Sequence, residues 1–124
     1  MAQTIPIYIK SDLITSASLS DGSQTSGAKL TTASGDIAAG LLWGVHGTLS
    51  STGGQATVRV FNDSSGTIEL YNVTLDFSGG VTQASDLMSA AIPMFETPYF
   101  TVEGDSTSAG KTLKVYFYVQ ALRF

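Results

Sequence analysis

Apolar side chains recur at every second position along most of the chain, and no window holds the spacing of an amphipathic helix for long. At the start, Ile5, Ile7 and Ile9 alternate with Thr4, Pro6, Tyr8 and Lys10. Proline donates no ladder hydrogen bond, so this segment reads as an edge strand or as an arm reaching out of the domain. A weaker alternation runs through Leu13, Thr15, Ala17 and Leu19. Residues 20–27 (Ser-Asp-Gly-Ser-Gln-Thr-Ser-Gly) then have nothing to bury and read as a mobile loop. This gives an N-terminal strand or arm over residues 1–20, a flexible loop region over 21–40 and a sandwich body over 41–124, within one domain.

The body repeats the two-residue period with breaks. Leu41, Trp43, Val45 and Leu49 share one parity and Leu42, Gly44, His46 and Thr48 the other, which places Trp43 in the core. Gly53-Gly54 turns into a strand over 56–61, and residues 62–66 (Asn-Asp-Ser-Ser-Gly) have the composition of a hairpin loop. On the return strand Ile68 and Leu70 have one parity but Tyr71, Val73, Leu75 and Phe77 the other. A strand changes faces only through a bulge, expected here near Tyr71-Asn72. Residues 86–94, bracketed at the far end by Pro93 and Pro98, are the one stretch able to hold a helical turn. A strand over 99–103 and a loop over 104–110 lead to the clearest strand. There Leu113, Val115, Phe117, Val119 and Ala121 face inward, and Thr112, Lys114, Tyr116, Tyr118 and Gln120 outward.

Short strands with Gly/Ser turns and no helical crossovers predict an all-β, antiparallel β-sandwich, jelly-roll or immunoglobulin-like. Outward Tyr116 and Tyr118, followed by Leu122 and Phe124, put apolar area on the solvent side. This is either a contact surface or area that neighbouring loops cover.

Composition sharpens the picture. Of 124 residues 43% are hydrophobic and only 13% charged, about half the usual charged share. Ser, Thr and Gly fill the gap. A hydroxyl-rich, charge-poor surface suits an obligate interface, because burying hydroxyls costs less than burying charge; it also occurs in ordinary extracellular β domains. The net charge is −4 and the six basic residues (Lys10, Lys29, Arg59, Lys111, Lys114, Arg123) are scattered. No stripe for a phosphate backbone emerges, so neither nucleic acid nor an anionic membrane is an expected partner. There is no cysteine, hence no disulfide or thiolate site. The first residues lack a basic start followed by an apolar run, so synthesis and retention in a cytoplasm are expected.

Candidate chemistry is thin. Gly104 to Thr112 ends Gly-Lys-Thr, but five residues separate its glycines where a phosphate loop has four, and it leads into a strand. His46 is the only histidine, and no serine lies in a nucleophile-elbow sequence. It reads as a surface or interface residue whose protonation could make assembly pH-sensitive. The loop acids Asp21, Asp36, Asp63, Asp86 and Asp105 are isolated and follow no calcium-loop spacing. Asn62-Asp63-Ser64 and Asn72-Val73-Thr74 match the glycan-acceptor pattern, which means little without a secretion signal. The expectation is a non-enzyme with no cofactor and no bound metal.

Residues 57–70 (TVRVFNDSSGTIEL) resemble a hairpin of small tailed-bacteriophage head proteins, in which a β-rich strand ends in an Asn/Asp-Ser-Gly-Thr turn. The Gly-Asp-Ser/Thr loop before a final aromatic-rich strand is similar too. The likeness is one of pattern over about residues 41–120. It implies a jelly-roll capsid decoration (cement) protein that binds the outside of a phage head, with the major capsid protein or other virion proteins as partner, often as a homotrimer. The expected location is then the virion. The interface candidates are Ile5, Ile7, Tyr8, Ile9, Tyr116, Tyr118, Leu122 and Phe124, with the N-terminal strand extending onto a neighbouring subunit. Two other readings stand beside it: another tail, fibre or head-completion component, and a carbohydrate-binding module with Trp43 and the tyrosines as platform. The parity of Trp43 favours core over platform.

Overall fold

The computed structural model describes residues 7–10, 17–32, 35–36, 39–95 and 98–121. They form an all-β, antiparallel sandwich of two facing sheets. The strands are β1 (Ile7–Lys10), β2 (Ala17–Ser18), β3 (Ala28–Lys29), β4 (Thr31–Thr32), β5 (Gly35–Asp36) and β6 (Ala39–Leu49). They continue with β7 (Gln55–Phe61), β8 (Glu69–Asp76), β9 (Gln83–Phe95), β10 (Tyr99–Gly104) and β11 (Thr112–Ala121). One sheet runs β1-β11-β6-β9, with β2 also on β11. The other runs β3-β10-β7-β8, and β4 pairs with β5 alone.

The pairing is nested. Setting aside the short strands β2, β4 and β5 and keeping the equally short β3, the first strand pairs with the eighth (β1 with β11) and the second with the seventh (β3 with β10). The third pairs with the sixth (β6 with β9) and the fourth with the fifth (β7 with β8). This is one long antiparallel ribbon, closed at the β7–β8 hairpin and rolled so that β11 also meets β6 and β10 meets β7.

Alternation decides what goes inside. Leu113, Val115, Phe117 and Val119 of β11 are fully buried, as are Val58 and Val60 of β7. Phe117 meets Phe100 of the opposite sheet with ring centroids 5.2 Å apart and planes tilted by 47°, a favourable aromatic geometry. The β8 parity slip is a bulge: Val60 pairs with Tyr71 but Phe61 with Glu69, so Leu70 is the extra residue, next to the expected position. At the open side, Tyr71 of β8 donates to Asp86 of β9 and ties the two sheets together. Burial first, and then that carboxylate, push the Tyr71 phenol well above its ordinary value.

Two expectations need correction. Residues 86–94 hold no helical turn; they belong to the extended β9. Pro93 fits there because β9 is an edge strand of its sheet. Residues 20–27 are not a free loop but run along β10. Thr25 N donates to Val102 O (2.9 Å), Val102 N to Thr25 Oγ1 (3.0 Å) and Thr101 Oγ1 to Gln24 Oε1 (2.7 Å). Leu19 and Leu30, at 2% and 0% exposure, anchor the segment at either end. Of the two readings of the N-terminal segment, edge strand or arm, the structure shows Ile7–Lys10 as an edge strand paired with β11 of its own chain.

Candidate functional site

The surface that differs most from the rest is the outer face of the five-stranded sheet. Directly opposed residues of an antiparallel pair share a face, so the register places Tyr116 beside His46, Gln120 beside Leu41, and His46 beside Ser85. Trp43 joins them through an irregularity. On β11 the register passes from Tyr118↔Gly44 to Val119↔Leu42, leaving Trp43 as the extra residue of a bulge. On β9 it passes from Leu42↔Ile92 to Gly44↔Leu87. Leu42 and Val45 both turn inward, fully buried, and Trp43 is left outside. The expected core position of Trp43 is therefore corrected: one added residue flips the parity.

The bulge depends on Gly44. β9 passes so closely that a Cβ there would lie 2.2 Å from Asp86 O, so only glycine fits without displacing the strand. Trp43 Nε1 donates to Gln120 Oε1 at 2.9 Å, which satisfies the indole N–H within the chain and fixes the ring. Trp43, Tyr118, Leu87 and Met88 surround a shallow apolar depression of about 400 Å³. Leu87 is 70% exposed, an unusual position for a large aliphatic side chain.

The outer face of the other sheet has opposite chemistry. Arg59 lies between Glu103 (Nη1–Oε1, 2.7 Å) and Glu69 (Nε–Oε1, 3.6 Å), and Asn72 donates to Glu69 at 3.0 Å. Thr57 and Thr74 share a hydrogen bond beside them. These groups pair with one another, Arg59, Glu103 and Thr57 half-buried and Glu69, Asn72 and Thr74 exposed. On the aromatic face the register places two described cations, Lys10 opposite Tyr118 and Lys114 opposite Thr48, and no described acid.

Of the residues expected at an interface, Tyr116 and Tyr118 lie on this face, half-buried. Ile7, Tyr8 and Ile9 lie in β1 opposite Ala121, Gln120 and Val119, on the β11 edge of the same sheet. Ile5, Leu122 and Phe124 lie outside the described residues. Trp43, Leu87 and Met88 are members that periodicity missed. The signal was present in the unbroken apolar run Leu41-Leu42-Trp43 and in the adjacent Leu87-Met88, since neither run fits strict alternation.

The remaining candidates resolve into structural roles. His46 Nδ1 lies 2.5 Å from Ser85 Oγ on the exposed sheet surface, and no described hydrogen bond joins a carboxylate to the ring, as a triad requires. In the 104–112 loop, Asp105 Oδ1 accepts from Thr107 N (3.0 Å) and Ser108 N (2.8 Å), and Oδ2 from Gln55 N (3.0 Å). The protein's own carboxylate thus occupies the nest of amides a phosphate would need, and Lys111 Nζ is engaged by the carbonyls of Thr52 and Gly53. The backbone and hydroxyl of Ser108 hold the Asp105 carboxyl below its usual range. Asp63 closes the β7–β8 turn, accepting from the Ser65 and Thr67 hydroxyls and from Thr67 N and Ile68 N. These bonds, the Ser65 and Thr67 hydroxyls foremost, hold its carboxyl far below the usual range. Among the described residues no three His, Asp or Glu side chains converge to hold a metal.

What this arrangement can do chemically is present an aromatic surface with no described acid for contact. Comparison of the chain with protein-family models, with characterised proteins and with solved structures returned no match.

Proposed function

We propose that the chain is a structural attachment protein that decorates the outside of an assembled phage head, with the outer face of the five-stranded sheet as its contact surface. The observation that carries this reading is the asymmetry between the two outer faces. One is hydroxyl-rich and ion-paired; the other gathers Trp43, Tyr116, Tyr118, Met88 and the exposed Leu87 with no described acid among them. Aromatic and Met enrichment with depletion of charge is the composition of an interface core. The nested, rolled-up pairing supports a jelly-roll wiring for the sandwich, in keeping with the pattern likeness of residues 57–70 to phage head proteins.

The size of the face suits this role. Three strands about 4.8 Å apart and at least about 33 Å long offer roughly 480 Å², well short of the roughly 800 Å² per partner of a standard interface. One copy binds weakly on that area alone. Repeated symmetric sites, or a trimer engaging several at once, convert weak contacts into firm attachment. The major capsid protein is the partner this reading names.

Co-sedimentation with empty heads of the source virus tests it. The wild type and a polar-face control, Asn72→Asp, should pellet with heads, while a Leu87→Asp/Tyr118→Asp variant should stay in the supernatant. Full decoration by the double variant removes this face from the proposal. The exposure of Trp43 favours one second reading, a carbohydrate platform; glycan-array binding lost in Tyr116→Ala and Tyr118→Ala would support that instead.

A further inference from the structure

At the turn end of the four-stranded sheet, away from the aromatic face, a recess of about 260 Å³ opens between the 24–27 segment, the β7–β8 turn and β10. We infer that this recess is a binding site for a neutral polyhydroxylated ring, a single pyranose unit. The inference goes beyond the attachment role and rests on different residues.

The walls combine the groups such a ligand needs. Tyr99, half-buried and opposite Phe61 in register, supplies aromatic surface. Phe61 is a buried core residue, 6% exposed, that backs the recess beneath the turn, with Gly66 against its ring. An aromatic ring open to the recess, as Tyr99 is, accepts the C–H face of a sugar. Around them stand Gln24, Thr25 and Thr101. The Gln24 carbonyl oxygen accepts from Thr101 Oγ1, which leaves its amide nitrogen to donate to a ligand.

Charge narrows the ligand class. Among the described residues no Lys, Arg or His lines the recess and Asp63 does, so an anion meets repulsion without a described counter-charge. A cation fares little better, because both Asp63 oxygens already accept internal hydrogen bonds from Ser65, Thr67 and Ile68. A neutral ligand with many hydroxyls fits both limits. The volume lies just below the usual range of ligand sites, which begins near about 300 Å³, so one ring fits and a chain does not. The walls are preformed: Asp63 locks one side, and the Thr25–Val102 bonds fix the other.

Saturation-transfer NMR with methyl pyranosides of glucose, galactose, mannose and N-acetylglucosamine tests the site. At least one should bind with a millimolar dissociation constant, the range expected for so small a ligand. Gly27→Leu should weaken it about tenfold or more by filling the recess. A Cβ at Gly27 meets nothing closer than 3.5 Å, so the backbone tolerates the change. Trp43→Ala, on the opposite face, should leave binding intact. As a readout that needs no variant, titration should shift the amide resonances of Gln24, Thr25, Gly27 and Gly66. Absence of transfer from all four glycosides overturns the inference. So does binding undiminished in a folded Gly27→Leu, binding lost in Trp43→Ala, or amide shifts confined to other residues.

Discussion

Replacing Gly44 by alanine sets a methyl group against the backbone of a neighbouring strand. The added carbon would lie 2.2 Å from Asp86 O and 3.1 Å from both Cα and Cδ2 of Leu87. A carbon–oxygen contact is comfortable only beyond about 3.2 Å, so β9 must move by about 1 Å relative to β6. The obstacle is backbone on both sides, so no rotamer change relieves it. β9 is also tied across the sandwich by the Tyr71–Asp86 bond, which resists the shift. Overpacking of this kind costs about 2–3 kcal/mol. For a domain of this size that corresponds to a fall in Tm of roughly 8–12 °C. Circular dichroism melts measure it, with Gly79→Ala as control, since a Cβ there meets nothing within 4 Å and its backbone lies outside the left-handed region. The control should melt within about 2 °C of wild type. Trp43 is the only tryptophan and sits in the same bulge, so its emission should shift in Gly44→Ala and not in Gly79→Ala. If Gly44→Ala melts with the wild type and leaves the emission unchanged, the close approach of β6 and β9 is wrong, and with it the account of why Trp43 faces out.

Phe117→Ala should cost about 3–5 kcal/mol by opening a cavity between the sheets, read from urea midpoints; a loss under about 1 kcal/mol would mean the ring does not bridge them. Ser108→Ala should cost about 1–3 kcal/mol, since its fully buried hydroxyl donates to Gln55 O (2.7 Å) and accepts from Asp105 N (2.9 Å); unchanged stability would show that water replaces both bonds. The carboxyls of Asp63, Asp76 and Asp105 are all held below the ordinary 3.8, by hydrogen bonds from Ser65, Ser78 and Ser108 respectively. Below that ordinary value the unfolded chain takes up protons that the folded chain refuses. Stability should therefore be flat above about pH 5 and fall as pH drops through and below 3.8, with a shallower acid slope in Asp63→Asn; equal slopes would remove Asp63 as a contributor.

Much of the sandwich was legible because its strands are half-buried, so burial imprints a period of two. β11 reads directly, and the Leu70 bulge announced itself by a parity slip. The bulge at Trp43 gave no such slip: Leu41, Leu42 and Trp43 are all apolar, so alternation could be continued straight through the irregular residue. β9 was missed because, as an edge strand carrying an exposed Leu87 beside a half-buried Met88, it lacks a clean inside–outside pattern. Residues 20–27 were missed for a different reason. What orders them is backbone and hydroxyl bonding to β10, together with the buried Leu19 and Leu30 at their ends, and polar composition carries no trace of either. The recess depends on that segment and was hidden with it.

The ribbon-like pairing also has a kinetic consequence. β11 forms a central strand of its sheet, between β1 and β6, although it is the last of the described strands. While the polypeptide is being made, β6 and β9 can pair, but β1, β2 and the other edge of β6 wait for a neighbour that does not yet exist. Contacts this distant in sequence make folding slow, in the millisecond-to-second range typical of β-sandwiches, and leave β1 and β6 exposed to wrong partners in the interval. Truncation within β11 should therefore abolish the fold instead of trimming it.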